Sequence, residues 1–245
     1  MQEEANRSAH KALAAHRAVG FVRDGHVVGL GTGSTAAFAI KELGLLVAQG
    51  LRIRGVPTSR ASKSLAEECG IPLVDINETC RVDVTIDGAD EIDPSFNMIK
   101  GGGGALFREK LVAIASDLEI IIVDPPKLVS VLGQTVPVPV EVLKFGWCLT
   151  DRRLRGLGCI PRLRQQDGQP YESDNGNYIL DCQFQLIPDP DTLEKAIKAV
   201  PGVVESGLFI GLAHRLIIGS NEGVEVRERP SSNPEQRPGF EKSPK

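Results

Sequence analysis

Three short segments of this chain hold residue types suited to chemistry on a small anion. The first is Gly29-Leu30-Gly31-Thr32-Gly33-Ser34-Thr35, between a strand-like run and a helix-like run. Glycine lets backbone approach a ligand closely, and a helix start offers unpaired N–H groups and a positive dipole end. Thr32, Ser34 and Thr35 add hydroxyls. Together they suit a phosphate or a carboxylate; a tight turn with a Ser/Thr cap would use the same residues without a ligand. The spacing is G-x-G-x-G, and the next apolar run ends at Val56-Pro57-Thr58 without an acid for a ribose hydroxyl. That argues against a dinucleotide, and the missing Gly-Lys-Ser/Thr excludes a Walker A loop.

The second segment is Asp87-Gly88-Ala89-Asp90-Glu91-Ile92-Asp93, at the end of a buried-strand pattern. Ligands of open α/β sheets bind beyond the carboxyl ends of the strands. Clustered carboxylates are costly unless solvated, paired or bound to something. Asp side chains capping backbone N–H groups would account for them, and so would a divalent metal. The spacing does not fit a calcium loop. His10, His16, His26 and His214, the four histidines, form no ligand pair at useful spacing. No metal is therefore expected.

The third is Lys100-Gly101-Gly102-Gly103-Gly104-Ala105-Leu106-Phe107-Arg108-Glu109-Lys110. Consecutive glycines cost entropy in an ordered chain, and they make sense where backbone must wrap around a ligand. Glu109 falls one helical turn after Ala105, so it can face the same region as the glycines. A surface charge partner is the plain alternative. An anion cradle, acids, a lysine and a helix-borne carboxylate suit proton abstraction beside a carbonyl. That reaction needs a positioned base and a cation or hydrogen bonds for the enediolate. No Ser-His-Asp or Cys-His arrangement is evident.

The elements that must position these segments follow from periodicity. Helices are expected over 9–23, 34–49, 59–69 and 105–117, and strands over 26–30, 51–56, 82–87 and 118–124. Residues 88–104 read as loop. Such strand–helix alternation implies α/β architecture with a parallel sheet covered on both faces. The rhythm changes near Gln134. Residues 135–142 alternate Pro and Val, which suits an edge strand or a domain crossing. A basic helix (151–157), a strand (161–165), a turn at Asp174-Asn175-Gly176 and a strand (177–184) follow, with an antiparallel hairpin implied. Asp189 can cap a helix that begins with Pro190 and runs to Val200. Returning strands are expected over 202–209 and 215–219. The division is residues 1–135 with 207–228 as an α/β domain, 136–206 as a small α+β domain, and a Pro/Ser/Glu/Lys-rich disordered tail over 229–245.

Composition narrows the partners. The 245 residues carry a net charge of -4 and only 4% aromatics. The acidity argues against a nucleic-acid partner, and the few aromatics against base-stacking platforms. No run approaches the ~18 apolar residues of a membrane helix, so no membrane partner is expected. Met1-Gln2-Glu3-Glu4 lacks the order of a signal peptide. Five scattered cysteines (Cys69, Cys80, Cys148, Cys159, Cys182) without C-x-x-C fit a reducing compartment. A cytoplasmic soluble protein is expected.

Over residues 8–226 the chain resembles the ribose-5-phosphate isomerase type A family. The resemblance rests on the three segments, in order, and on P-V-E-V (139–142), T-D-R-R-L (150–154), S-D-N-G-N-Y-I-L-D (173–181) and P-G-V-V-E-S-G-L-F (201–209). It implies an open parallel-sheet (Rossmann-like) α/β domain with a smaller ferredoxin-like α+β domain, in a homodimer or homotetramer. It also implies interconversion of D-ribose 5-phosphate and D-ribulose 5-phosphate in the pentose phosphate pathway, with a sugar-phosphate substrate and no metal or organic cofactor. By the resemblance Glu109 is the base between C2 and C1, and Lys100 steadies the enediolate. Asp87 and Asp90 assist ring opening and oxygen protonation. Thr32, Gly33, Ser34, Thr35, Gly88, Ala89, Gly101, Gly102 and Gly103 line the substrate, with Lys127 as a further contact and Lys11 near the phosphate. The chain departs from the family at Asp124-Pro125-Pro126-Lys127, where Asp-Glu-Ser-Lys is usual, and at Ser173, where Thr is common. Other readings are a deaminase-like or lactonase-like phosphosugar enzyme, or a sugar-phosphate sensor, though no basic helix-turn-helix accompanies the last.

Overall fold

The structure, a computed structural model, describes residues 2–229. The tail expected over 229–245 lies outside the described residues apart from Arg229. The chain begins α1 (Gln2–Val19), β1 (Val27–Leu30), α2 (Ser34–Ala48), β2 (Arg54–Pro57), α3 (Arg60–Glu68), α4 (Ile76–Thr79) and β3 (Val82–Asp87). It continues with β4 (Glu91–Ile92), β5 (Met98–Ile99), α5 (Leu106–Ile114) and β6 (Ser116–Val123). After a 3-10 turn at Pro125–Lys127 come β7 (Val138–Val142), α6 (Trp147–Arg155), β8 (Ile160–Leu163), β9 (Gln165–Gln166), β10 (Gln169–Pro170) and β11 (Tyr178–Gln183). The last elements are α7 (Pro190–Lys198), β12 (Val203–Ser206), β13 (Leu208–Phe209), β14 (Arg215–Ser220) and β15 (Gly223–Glu228).

Six strands build the main sheet in the order β15-β14-β6-β3-β1-β2. Every pair is parallel except β14 with β15. Continuous apolar runs such as Ile120 to Val123 are buried because both faces of the sheet are covered. Ile120, Ile122 and Ile217 pack on Ala14 and Ala18 of α1 and on Ile40 and Leu43 of α2. On the opposite face Ile121, Val123 and Ile218 meet Leu106 of α5. Ile92, Met98 and Phe209, from a three-stranded sheet ordered β13-β5-β4, complete that layer.

A second, antiparallel sheet has the order β12-β7-β11-β8. With α6 between β7 and β8 and α7 between β11 and β12, this is the β-α-β-β-α-β ferredoxin-like arrangement. Val138, Val140, Val142 and Leu180 bury against Leu154 of α6 and Ile197 of α7. Asp189 caps α7, accepting from the Thr192 N–H at 3.1 Å, with Pro190 in the first turn.

The structure corrects several element expectations. β7 is an interior strand, flanked by β12 and β11. Its proline is tolerated because Pro139 lies past the end of β12: the Pro139 carbonyl accepts from the Gly207 N–H at 2.7 Å, and the β12 ladder stops at Ser206 opposite Val140. Helix α5 ends at Ile114, three residues short of the expected Asp117, and Ser116 already pairs with Val82 in the sheet. The 88–104 loop contains β4 and β5. The antiparallel edge strand β15, exposed along most of its length, was not anticipated. No disulfide joins the five cysteines. No helix among the described residues is long and apolar enough to cross a membrane.

Candidate active site

The carboxyl ends of β1 and β3 open into a cavity of about 230 Å³. Lys100 and Glu109 reach it from β5 and α5. The Lys100 ammonium lies 3.0 Å from Asp87 Oδ2 and 3.3 Å from Glu109 Oε1. It also donates to the Gly88 carbonyl at 2.5 Å. Asp87 in turn accepts the Thr32 N–H at 3.0 Å and the Gly88 N–H at 2.7 Å through Oδ1. β1 and β3 can bring these groups together because Gly31 has no side chain: a Cβ there would sit 2.2 Å from Asp87 Oδ1.

Glu109 is 5% exposed and Lys100 2%. Burial pushes the Glu109 carboxyl up to about 8; Lys100 opposes the shift, while Asp87 and Asp90 add to it. Burial works against the Lys100 ammonium, but Asp87 and Glu109 outweigh it and its pKa rises. The site therefore holds a cation beside a carboxyl whose burial favours its protonated form more strongly than in an exposed glutamate. Glu109 Oε2 is buried with no hydrogen-bond partner, an acceptor position that the protein leaves open.

Three further basic side chains, Arg7, Lys11 and Lys127, line the same cavity. Gly33 precedes helix α2 as its N-cap residue and has no side chain to cap it, so the first N–H groups stay available. Lys11 donates to Ser34 Oγ at 2.8 Å. Thr32 Oγ1 is tied to Thr58 Oγ1 and Ser59 Oγ, both at 2.8 Å, which fixes the loop that leads into the helix.

Every expected site residue except Asp87 lines this cavity: Lys11, Thr32, Gly33, Ser34, Thr35, Gly88, Ala89, Asp90, Lys100, Gly101, Gly102, Gly103, Glu109 and Lys127. Asp87, expected among the substrate contacts, is 1% exposed and stands behind Lys100. The acidic segment divides. Asp90 lines the cavity and accepts the Gly102 N–H at 2.7 Å. Glu91 turns away to accept from backbone N–H groups of the loop before β7, and Asp93 accepts from those of Ser95 and Asn97 in its own β4–β5 turn. Sequence reasoning missed Arg7, which also lines the cavity and donates to Asp124 Oδ2 at 2.9 Å. Its position one turn before Lys11 on α1 was the available signal. No group of three or more His, Cys, Asp or Glu among the described residues is arranged to hold a metal ion.

Fold and cavity together define an α/β protein in which the N-terminus of α2, three basic side chains and a buried lysine–carboxylate cluster share one cavity. A sequence model of the ribose 5-phosphate isomerase A (phosphoriboisomerase A) family matches residues 54–223. The chain is 54% identical over 217 residues to the ribose-5-phosphate isomerase A of Gloeobacter violaceus, covering 88% of this chain and 94% of that one. The solved ribose 5-phosphate isomerase of Plasmodium falciparum matches with a TM-score of 0.88 at 37% identity, covering 91% of this chain and all of the other. A D-ribose-5-phosphate isomerase solved in complex with phospho-erythronic acid matches at 0.87 and 42% identity, covering 90% and 98%. The chain belongs to the ribose 5-phosphate isomerase A family and is an isomerase.

Proposed function

We propose that the chain interconverts D-ribose 5-phosphate and D-ribulose 5-phosphate through an enediolate, with Glu109 as the proton-transfer base. The carrying observation is the buried Lys100 ammonium beside a Glu109 carboxyl that keeps one oxygen unpartnered. The Glu109 carboxylate takes the C2 proton of the open-chain aldose, and the electron pair moves through C1 to O1. Lys100 steadies the charge on that oxygen. The proton returns to C1 while the O2 hydroxyl gives its proton to O1, carried by Asp90. Asp90 also assists ring opening, and Asp87 holds Lys100 in place.

The phosphate takes the Thr32–Thr35 loop and the N-terminus of α2, flanked by Lys11, Lys127 and Arg7. Gly88, Ala89 and the Gly101–Gly103 backbone shape the sugar end. Phospho-erythronic acid, the ligand named for one relative, is a phosphorylated sugar acid and supports this substrate class. The scheme uses no metal or organic cofactor. We place the reaction in the pentose phosphate pathway of the cytoplasm, in a homodimer or homotetramer. Its catalytic unit is residues 1–135 with 207–228, and 136–206 form the smaller unit.

The test follows purified protein with ribose 5-phosphate and excess chelator in deuterated water by NMR. Ketose with deuterium entering at C1 is expected. No ketose would overturn the reaction, and turnover lost only with chelator would overturn its metal independence.

A further inference from the structure

The four-stranded sheet contributes none of the residues that line the cavity, yet it grips the glycine loop. The grip centres on Arg164, directly after β8. Its Nε donates to Asp181 Oδ2 at 3.0 Å and its Nη2 to Oδ1 at 2.5 Å, a two-pronged pairing with a neighbour on β11. Nη1 reaches out of the sheet to the carbonyls of Gly101 at 2.9 Å and Gly102 at 3.1 Å. The guanidinium lies 5.8 Å from the centre of the Tyr171 ring, and the Tyr171 hydroxyl donates to the Gly103 carbonyl at 3.4 Å. Gly104 leaves room for that ring, since a Cβ would sit 2.2 Å from the hydroxyl.

The loop is thus held from two sides. Asp90 takes the Gly102 N–H, and Arg164 takes the carbonyls. Lys100 begins the same loop, its own N–H tied to the Gly207 carbonyl at 2.9 Å. We propose that Arg164 is a positioning residue: it fixes the Gly101–Gly102 backbone, and with it the Lys100 ammonium, in the geometry that isomerisation requires. This rests on the reaction proposed above. Arginine suits the task because its planar fork donates in two directions at once; a lysine ammonium pairs with Asp181 or with the carbonyls but does not span both.

The test compares Arg164→Ala and Arg164→Lys with wild type, at a temperature where all three are folded, together with their melting temperatures. For Arg164→Ala, kcat should fall about 10²-fold, the order expected when a reacting group is misplaced by an ångström. KM should stay within about threefold, because the phosphate is held by the other loop. Arg164→Lys should melt near wild type while kcat remains at least about tenfold low, because the fork is lost. If Arg164→Ala does not fold, Arg164→Lys carries the test. A kcat near wild type in the folded variants, or a loss confined to KM, would overturn the positioning role. Wild-type protein that forms no ketose would instead overturn the reaction itself.

Discussion

Glu91 and Glu109 are both buried, and their surroundings are opposite. Glu91 sits behind the site, where its Oε1 accepts from the Thr135 N–H, the Thr135 hydroxyl at 2.7 Å and the Val136 N–H at 3.0 Å. Its Oε2 accepts from the Gly133 N–H at 2.6 Å. That carboxylate staples β4 to the loop before β7. Glu109 faces the cavity with one ammonium contact and an oxygen that meets nothing. The difference teaches how one chain uses a buried acid in two ways. A full set of donors makes it a structural anchor, and a missing donor leaves a basic oxygen whose burial raises its pKa.

Breaking that contrast should have its largest effect at Glu109, the proposed base. Glu109→Gln should remain folded and lose about 10²–10⁴ in kcat, equivalent to about 3–5 kcal/mol of barrier. Steady-state kinetics check it, and near-wild-type turnover would remove Glu109 from the mechanism. Glu91→Ala should do the reverse. It orphans three backbone N–H groups and a hydroxyl, so stability should fall by about 3 kcal/mol, with kcat of the folded enzyme preserved. Chemical denaturation and kinetics on the same sample separate the two effects.

The raised Glu109 pKa sharpens the contrast without a mutation. In the proposed role Glu109 must be ionised to take a proton, so kcat/KM of the wild type should rise with pH and level off above about 8. At pH 6 it should be about 10²-fold below the plateau. A limb at the ordinary carboxylate value would show that burial does not tune this group. Stability runs the other way. A carboxyl whose pKa is higher folded than unfolded contributes most below the unfolded value, and the contribution is lost as pH rises through the folded one.

Glu119 supplies the smallest and most diagnostic comparison. Both its oxygens are buried without partners, and burial, reinforced by Asp87, raises its pKa well above the ordinary value. It lies on β6 opposite Thr85, on the face that carries Asp87. Glu119→Leu should therefore stabilise the protein by about 1 kcal/mol at pH 8, with less gain at pH 4, where the unfolded carboxyl is itself mostly protonated. Melting curves at the two pH values read the difference; a lower melting temperature at pH 8 would show that the carboxyl earns a favourable contact.

Much of this was legible from local pattern. The β1–α2 turn, the strand that ends at Asp87 and the glycine run before α5 each announce themselves within a dozen or so residues, where turn chemistry and periodicity act. The ferredoxin-like order of the second sheet came from resemblance, since pattern alone indicated only an α+β unit with a hairpin. Of the two readings of the proline-rich run, a domain crossing or an edge strand, the edge position fails because the cost of a lost N–H depends on where the neighbouring strand ends. Edge strand β15 was passed over because its exposed side chains give no apolar signal.

The amino-acid order determined which groups this protein has for chemistry: the hydroxyl-rich glycine turn, the paired acids, Lys100 and Glu109. Tertiary structure decided where each of them sits and what it touches. Only packing shows that Asp87 stands behind Lys100 while Asp90 faces the cavity, and that Glu91 is satisfied while Glu109 is not. Arg7 meets Asp124, and Arg164 meets Gly101 and Gly102, across stretches of chain far longer than any local signal. The physical reason is that desolvation and hydrogen bonding depend on neighbours in space. A side chain's charge is written in its type, and its burial and partners are set by the fold.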